Sequence, residues 1–323
     1  MKYYLVADIG GTNTRIGLLA NEGSCKITDI AFFENQDFPG IEAVFHHYFK
    51  QYPLVSPPKK ACIAVASPVQ SDRVSFVNNP WTFSREGLKS EFSFDVLHVI
   101  NDFEAIARSL PYLDPKGLRC VGGGVANPLR ARAVVGPGTG LGMGGLIPTA
   151  TGTIPLASEG GHAAFAPQNE DEDAVVHYLR QRLDFVCNED LLSGAGLIHI
   201  FNALSHRAGH EVSVSDPALI SGGALKGDSR CVAALTCFCG ILGSVAGDFA
   251  LQIGAEGGVA IAGGIVPRFI EFFEQSPFRQ RFEAKGCYRD YMAAIPTYVI
   301  MESQPGLIGA ASIFYDEIGR RAL

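Results

Sequence analysis

YYLVADIGGTNTRIGLLA, residues 3–20, sets two β-rich runs on either side of Asp8-Ile9-Gly10-Gly11-Thr12-Asn13. The spacing predicts an antiparallel hairpin with a glycine-lined tip. Such a tip can lay successive backbone N–H groups against phosphate oxygens, with Asp8 facing a counter-cation such as Mg²⁺. Taken alone, the glycine pair is better read as a tight turn whose residues supply positive φ. The rest of the chain has to decide between the two.

Moving outward, Gly40–Tyr52 reads as a helix, ACIAVAS (61–67) as a buried strand, and RVSFV (73–77) alternates like its partner. DVLHVIND (95–102) is a strand ending on two polar residues, and a helix (103–110) leaves them. Pro111, Pro115 and the glycines at 122–124 punctuate the chain there, as a domain boundary would. RARAVVG (130–136) is a strand running into GPGTGLGMGG, and helices are expected over 170–183, 196–207 and 231–253. GVAIAGGIVPRFIEFFE (258–274) gives a strand, a glycine pair and a helix opening at Pro267, and an amphipathic helix is expected from 306 to the end. Strands alternating with helices predict an α/β protein.

A length of 323 residues asks for one large or two medium domains, and two is the first expectation. With 47% apolar and only 18% charged residues, intrinsic disorder is excluded. A net charge of -7 leaves no basic field to hold nucleic acid. The 8 cysteines are scattered without a disulfide pattern, and MKYYLVADIGG reaches an acid and a glycine pair too early for a signal peptide, so a cytoplasmic protein is expected. The uncharged run from Cys231 to Gly247 is at the lower limit of a membrane span. Its Gly, Ser and Thr content predicts a buried helix instead, and no membrane association.

Two further glycine corners join the first. Gly136-Pro137-Gly138-Thr139-Gly140-Leu141-Gly142 offers a second cradle, with the Thr139 hydroxyl available to a phosphate oxygen. Gly140 to Gly145 also fits G-x-G-x-x-G, but LIPTATGTIPL follows where a dinucleotide site needs a helix, so that fingerprint is rejected. No G-x-x-x-x-G-K-[ST] occurs. Ala262-Gly263-Gly264-Ile265 is either close strand-to-helix packing or a flat surface for an adenosine. Three such corners at strand ends, one opening with Asp, suit a nucleotide held between two α/β lobes.

The polar candidates remain divided on local sequence. Asn101-Asp102 ends a strand where open α/β sheets bind ligands, and Asp102 can accept a proton from a hydroxyl nucleophile or serve as helix N-cap. Glu159 and His162 flank two glycines in a turn able to grip vicinal hydroxyls, though single polar residues in loops are usually solvated. Glu189, beside Asn188 and Asp190, reads as an ordinary acidic helix start. Cys237 and Cys239, two apart on a helix, point to nearly opposite faces and read as core; His206 and His210 read as surface. No hydrolase or protease signature is present.

In order, DIGGTNTR (8–15), NNPW (78–81), INDFEA (100–105), GPGTGLG (136–142), SEGGHAAFAP (158–167), LLSGAGL (191–197) and AGGIVPRF (262–269) resemble the bacterial glucokinase family over nearly the whole chain. They resemble the group lacking the zinc-binding cysteine cluster of the ROK sugar kinases. The resemblance implies a two-domain actin-like ATPase fold (hexokinase-type, RNase H-like) with a cleft between a small α/β domain (1–111 plus 302–323) and a larger one (112–301). It implies ATP-dependent phosphorylation of D-glucose to glucose 6-phosphate at the head of glycolysis, Mg²⁺ dependence and a homodimer. It places the catalytic base on Asp102 and sugar-hydroxyl contacts on Asn78, Asn101, Asp102, Glu159, His162 and Glu189. Phosphate contacts fall on Asp8, Ile9, Gly10, Gly11, Thr12, Asn13, Gly138, Thr139 and Gly140, adenosine-side glycines on Gly263 and Gly264, and the metal at Asp8. Pro137 stands where the family more often has Ala and cannot donate an N–H, and Pro80 alters the turn beside Asn78. A kinase for another hexose, or a non-catalytic sugar sensor, are the competing readings; a sensor of the ROK type would carry a DNA-binding helical module ahead of a first strand that here begins at Tyr3.

Overall fold

The computed structural model describes residues 3–20, 26–67, 69, 71–76, 80–210, 214–315 and 318. Contacts divide the chain into two units, one of 1–115, 150–157 and 302–323, the other of 116–149 and 158–301.

The first unit begins with the expected hairpin, β1 (Tyr3–Ile9) and β2 (Asn13–Ala20), followed by β3 (Ile27–Glu34), β4 (Lys60–Val65), β5 (Arg73–Ser75), β6 (Thr82–Ser84) and β7 (Val96–Asn101). Its sheet runs β3-β2-β1-β4-β7, antiparallel through the hairpins and parallel from β1 through β4 to β7. Side chains of β1 alternate between two buried layers, as the two-residue period of a strand requires. Leu5, Ala7 and Ile9 pack with Val44, Phe45 and Tyr48 of the helix Ile41–Gln51. Tyr4 and Val6 pack with Leu307, Ala310 and Phe314, which come from the end of the chain. β5 differs from expectation: it pairs with β6, not with β4. Buried Val74 sits opposite buried Phe83, so the alternation of RVS is satisfied by a small separate hairpin.

The second unit contains β8 (Leu118–Gly122), β9 (Arg132–Pro137) and β10 (Leu141–Thr149); β11 (Gly152–Ser158) begins in the segment assigned to the first unit. β12 (Val259–Ile261) and β13 (Thr297–Ile300) complete it, and within this unit the strand order is β10-β9-β12-β13-β8. β9, β12 and β13 are parallel, while β10 turns back antiparallel on β9. The absence of a helix after Gly140–Gly145 agrees with rejection of the dinucleotide fingerprint.

The apolar run near 231–253 is the helix Ser229–Ile253, long and apolar enough to cross a membrane by length and composition. Its Leu235, Phe238, Cys239, Ile241 and Leu242 are fully buried in the core of the second unit. Burial pushes the thiols of Cys237 and Cys239 up to about 12, which keeps them protonated and inert. Two helix boundaries differ from the sequence reading. A 3₁₀ turn, Val266–Phe269, holds Pro267 in a first turn that needs no N–H, and the α-helix opens only at Ile270. The terminal helix spans Pro305–Ser312 and gives way to turns through Tyr315.

Candidate active site

In the first unit, Ile9 of β1 is in register with Val65 of β4, and Val65 with Asn101 of β7. The Gly10–Asn13 turn and Asn101-Asp102 therefore leave the same carboxyl edge of the sheet, about 10 Å apart by strand spacing. Gly10 donates its N–H to the Asn13 carbonyl at 2.9 Å, so the turn closes on itself and its outward amides are those of Gly11 and Thr12. Asn35 braces it, donating from Nδ2 to the Gly10 carbonyl at 2.9 Å and accepting from the Thr14 hydroxyl at 2.8 Å. Ile9 is wholly buried and its carbonyl accepts from Ala66, so it supports the turn from below. Asn13 donates to the Thr12 hydroxyl at 2.9 Å, leaving the Thr12 proton to point elsewhere.

Asn101, not Asp102, caps the helix Asp102–Ser109: its Oδ1 accepts from Phe103 at 2.9 Å and Glu104 at 3.3 Å. The capping oxygen is thus committed, and the Asn101 amide nitrogen, 3.5 Å from the Ser67 carbonyl, is the group it has for a ligand. Asp102 is the first helical residue, half-buried, with Oδ1 accepting from Phe103 at 2.9 Å. A carboxylate in the first turn is favoured by the helix dipole.

Asp8 is largely buried, and Arg15 Nη1 lies 3.4 Å from its Oδ2. Burial pushes the Asp8 carboxyl up from its ordinary range, and the Arg15 guanidinium pulls it partly back. The Arg15 Nε has no hydrogen-bond partner among the described residues. Those residues hold no cluster of three or more His, Cys, Asp or Glu suited to a metal ion. One acidic side chain beside the Gly10–Asn13 turn nonetheless fits Mg²⁺, which usually keeps several waters and takes one or two carboxylates together with phosphate oxygens. A cavity of about 620 Å³ opens beside this turn, lined by Gly11, Thr12, Asn13, Asn35 and Trp81 among others. Asn78, expected nearby, lies outside the described residues.

In the second unit, Val135 of β9 is in register with Ile261 of β12, so Gly138–Gly140 and Gly263-Gly264 leave one edge together. Gly263 has φ +85, and a Cβ there would strike the Pro137 carbonyl; close packing is its reason for being glycine. Gly264 would meet nothing within 4 Å and presents an open backbone face. Gly138 donates to the Gly140 carbonyl at 2.8 Å, and its own carbonyl accepts from Gly194, the first residue of the helix Gly194–Arg207. The Thr139 side chain is exposed at the tip.

The turn carrying Glu159 and His162 is a 3₁₀ segment, Gly160–His162, with both side chains exposed. It is clasped from behind. Glu189 donates its N–H to the Gly161 carbonyl at 2.9 Å, and Asn188 Nδ2 donates to Gly160 at 3.0 Å. Glu189 does not start a helix; the helix opens at Gly194, with Ser193 as cap. Its carboxylate accepts instead from the Leu141 amide at 2.7 Å. Sequence reasoning missed Arg15, Asn35 and Asn188. Arg15 stood within the quoted motif, while Asn35 and Asn188 carry no local signal.

Each unit thus gathers a glycine turn and acidic or amide side chains at the carboxyl ends of parallel strands. A family model described as Glucokinase matches residues 5–317. The glucokinase of Chromobacterium violaceum is 43% identical over 98% of this chain and 91% of its own length. The "Bifunctional protein glk" of Paraburkholderia xenovorans is 41% identical over 98% of this chain, which spans only 50% of that relative. Among solved structures, a glucokinase from an Antarctic psychrotroph superposes with a TM-score of 0.89 at 37% identity, covering 98% of this chain and 99% of that one. The fold is the α/β actin-like ATPase fold expected from the motifs. A match that starts in the first strand and ends past the last helix, on a shared fold, makes the chain a member of the glucokinase family.

Proposed function

We propose that the chain transfers the γ-phosphoryl group of ATP to the 6-hydroxyl of D-glucose, giving glucose 6-phosphate and ADP, as a cytoplasmic homodimer serving glycolysis. The observation that carries the reading is the shared sheet edge: the Gly10–Asn13 turn and Asp102 leave the ends of parallel strands β1 and β7, in register. In the division we adopt, 1–111 with 302–323 forms the small domain and 112–301 the large one.

Phosphoryl transfer needs alignment and charge neutralisation more than covalent chemistry. Asn101, Glu159, His162 and Glu189, with Asn78, would fix the sugar so that its 6-hydroxyl lies in line with the γ-phosphorus. Such positioning is worth about 7–11 kcal/mol in favourable cases. Asp102 would take the hydroxyl proton as oxygen attacks phosphorus, while the bridging bond to ADP breaks. The amides of Gly11, Thr12, Thr139 and Gly140 and the two threonine hydroxyls would stabilise charge on the transferring group. Gly263 and Gly264 would lie against the adenosine. Asp8 would hold Mg²⁺, and the ion would supply neutralisation of phosphate charge when bound.

The test is ADP release measured with and without glucose. Glucose-dependent release is the expected result, and release indifferent to sugar would defeat the reading. Mannose, fructose and N-acetylglucosamine assayed alongside separate a glucose enzyme from a kinase for another hexose.

A further inference from the structure

We infer that Glu189 is a positioning residue for the nucleotide loop, beyond the sugar contact proposed for it. The inference rests on reading Gly138–Gly140 as the loop that meets phosphate. Oε2 of Glu189 accepts from the Leu141 N–H at 2.7 Å, at the exact point where the loop re-enters β10. The backbone N–H of Glu189 is fastened to Gly161 at 2.9 Å, within the turn that bears Glu159 and His162. One residue therefore links the sugar-side turn to the phosphate-side loop.

Gly140 supports the same conclusion. A Cβ at this position would run into the Glu189 carboxylate, and no other atom comes as near. The glycine is explained by the approach of Glu189. Gly140 is not in the left-handed region, so alanine is accessible to its backbone. Gly161 has a matching reason: a Cβ there would strike the Leu141 carbonyl, so loop and turn lie backbone to backbone. With Oε2 held by Leu141, Oε1 is the atom left for a sugar hydroxyl.

A side chain that only touches sugar has no effect on nucleotide affinity measured without sugar. A side chain that shapes the loop does. The experiment is equilibrium titration of the full chain with ADP and a non-hydrolysable ATP analogue in the absence of glucose. Glu189→Ala should weaken nucleotide binding about tenfold, the scale of one charge-assisted hydrogen bond. Glu189→Gln keeps a carbonyl acceptor for Leu141 and should recover to within about threefold of the parent. Gly140→Ala should displace the Glu189 carboxylate and reproduce the Glu189→Ala loss. Combining Gly140→Ala with Glu189→Ala should cost no more than either alone. Unchanged nucleotide affinity in Glu189→Ala and Gly140→Ala, or losses that simply add in the double variant, would overturn the inference. If Glu189→Ala does not fold, Gly140→Ala decides the matter alone, unchanged affinity again overturning it. A parent chain that takes up no adenine nucleotide would overturn the reading of the loop and this inference with it.

Discussion

Asn101 and Asp102 are adjacent and chemically alike, yet they end with different tasks. The cap belongs to Asn101, whose oxygen satisfies two backbone N–H groups of the following helix. Asp102, which does not serve as the cap, is the residue proposed as base. Asp102→Asn preserves shape and hydrogen bonding while removing the basic oxygen. Turnover should fall by about a hundredfold or more, with glucose affinity by titration within a few fold of the parent; near-parental turnover would remove Asp102 from the role. Asp8 carries a second prediction. Because its carboxyl is raised above the ordinary aspartate range, the folded state binds the proton more tightly than the unfolded chain does. This contribution to stability is present below the ordinary range and is lost as pH rises through the raised value. Melting temperature followed across that window should decline less steeply in Asp8→Asn than in the parent, while the variant loses activity. Equal slopes would show that Asp8 does not titrate there. Both carboxylates were visible in the sequence because each stands at the end of an apolar run. Arg15 was not read as the partner of Asp8, nor Asn35 as the brace of the Gly10–Asn13 turn, since strand pairing and loop packing, not local spacing, bring them there.

At the scale of elements, glycine corners and strand ends were legible because turn chemistry and apolar runs are local. The joints between helices were not. Glu172 is 1% exposed, and its carboxylate meets Arg281 at 2.8 Å. It also accepts from Gln168 and Asn169, closing a box at the start of the helix Glu170–Arg180. Arg281 donates further to the Ser244 hydroxyl at 3.0 Å, so one guanidinium ties the helices Glu170–Arg180, Ser229–Ile253 and Phe278–Glu283. The partners lie 109 residues apart, and EDED reads on its own as a solvated acidic first turn. Removing Arg281 leaves a buried carboxylate without its cation. Arg281→Met should destabilise the chain by about 3–5 kcal/mol, seen as a lower urea midpoint with an unchanged slope. Adding Glu172→Gln to Arg281→Met should recover part of the loss. If the double variant is no more stable than the single one, the cost comes from packing and not from the stranded charge.

Across the whole molecule, one arrangement occurs twice. β1 and β2 form a hairpin with a glycine-rich tip, and β1 runs parallel to β4 and β4 to β7. β9 and β10 form another, and β9 runs parallel to β12 and β12 to β13. No repeat is visible in the sequence, because the arrangement constrains which positions are apolar and where glycine falls, and leaves the residues otherwise unconstrained. The first of these sheets depends on the far end of the chain. Leu307, Ala310 and Ala311 of the last helix, with Phe314 and Tyr315 just beyond it, are buried against Tyr4, Val6, Cys62 and Ala64, so the end of the chain, together with Ala105 of the helix Asp102–Ser109, covers the face opened by the first strand. Each large apolar side chain buried there contributes about 1.5–3 kcal/mol. A chain ending at Met301 would strip that part of the cover while retaining every residue of 116–149 and 158–301. In hydrogen exchange, its amides in β1, β4 and β7 should lose protection by several orders of magnitude, whereas β9, β12 and β13 should stay slow. Dye binding to exposed apolar surface should rise in parallel. Retained protection in β1 would mean that the sheet holds on its other layer alone, through Ile41, Phe45 and Tyr48, and that the terminal helix is dispensable to the first unit.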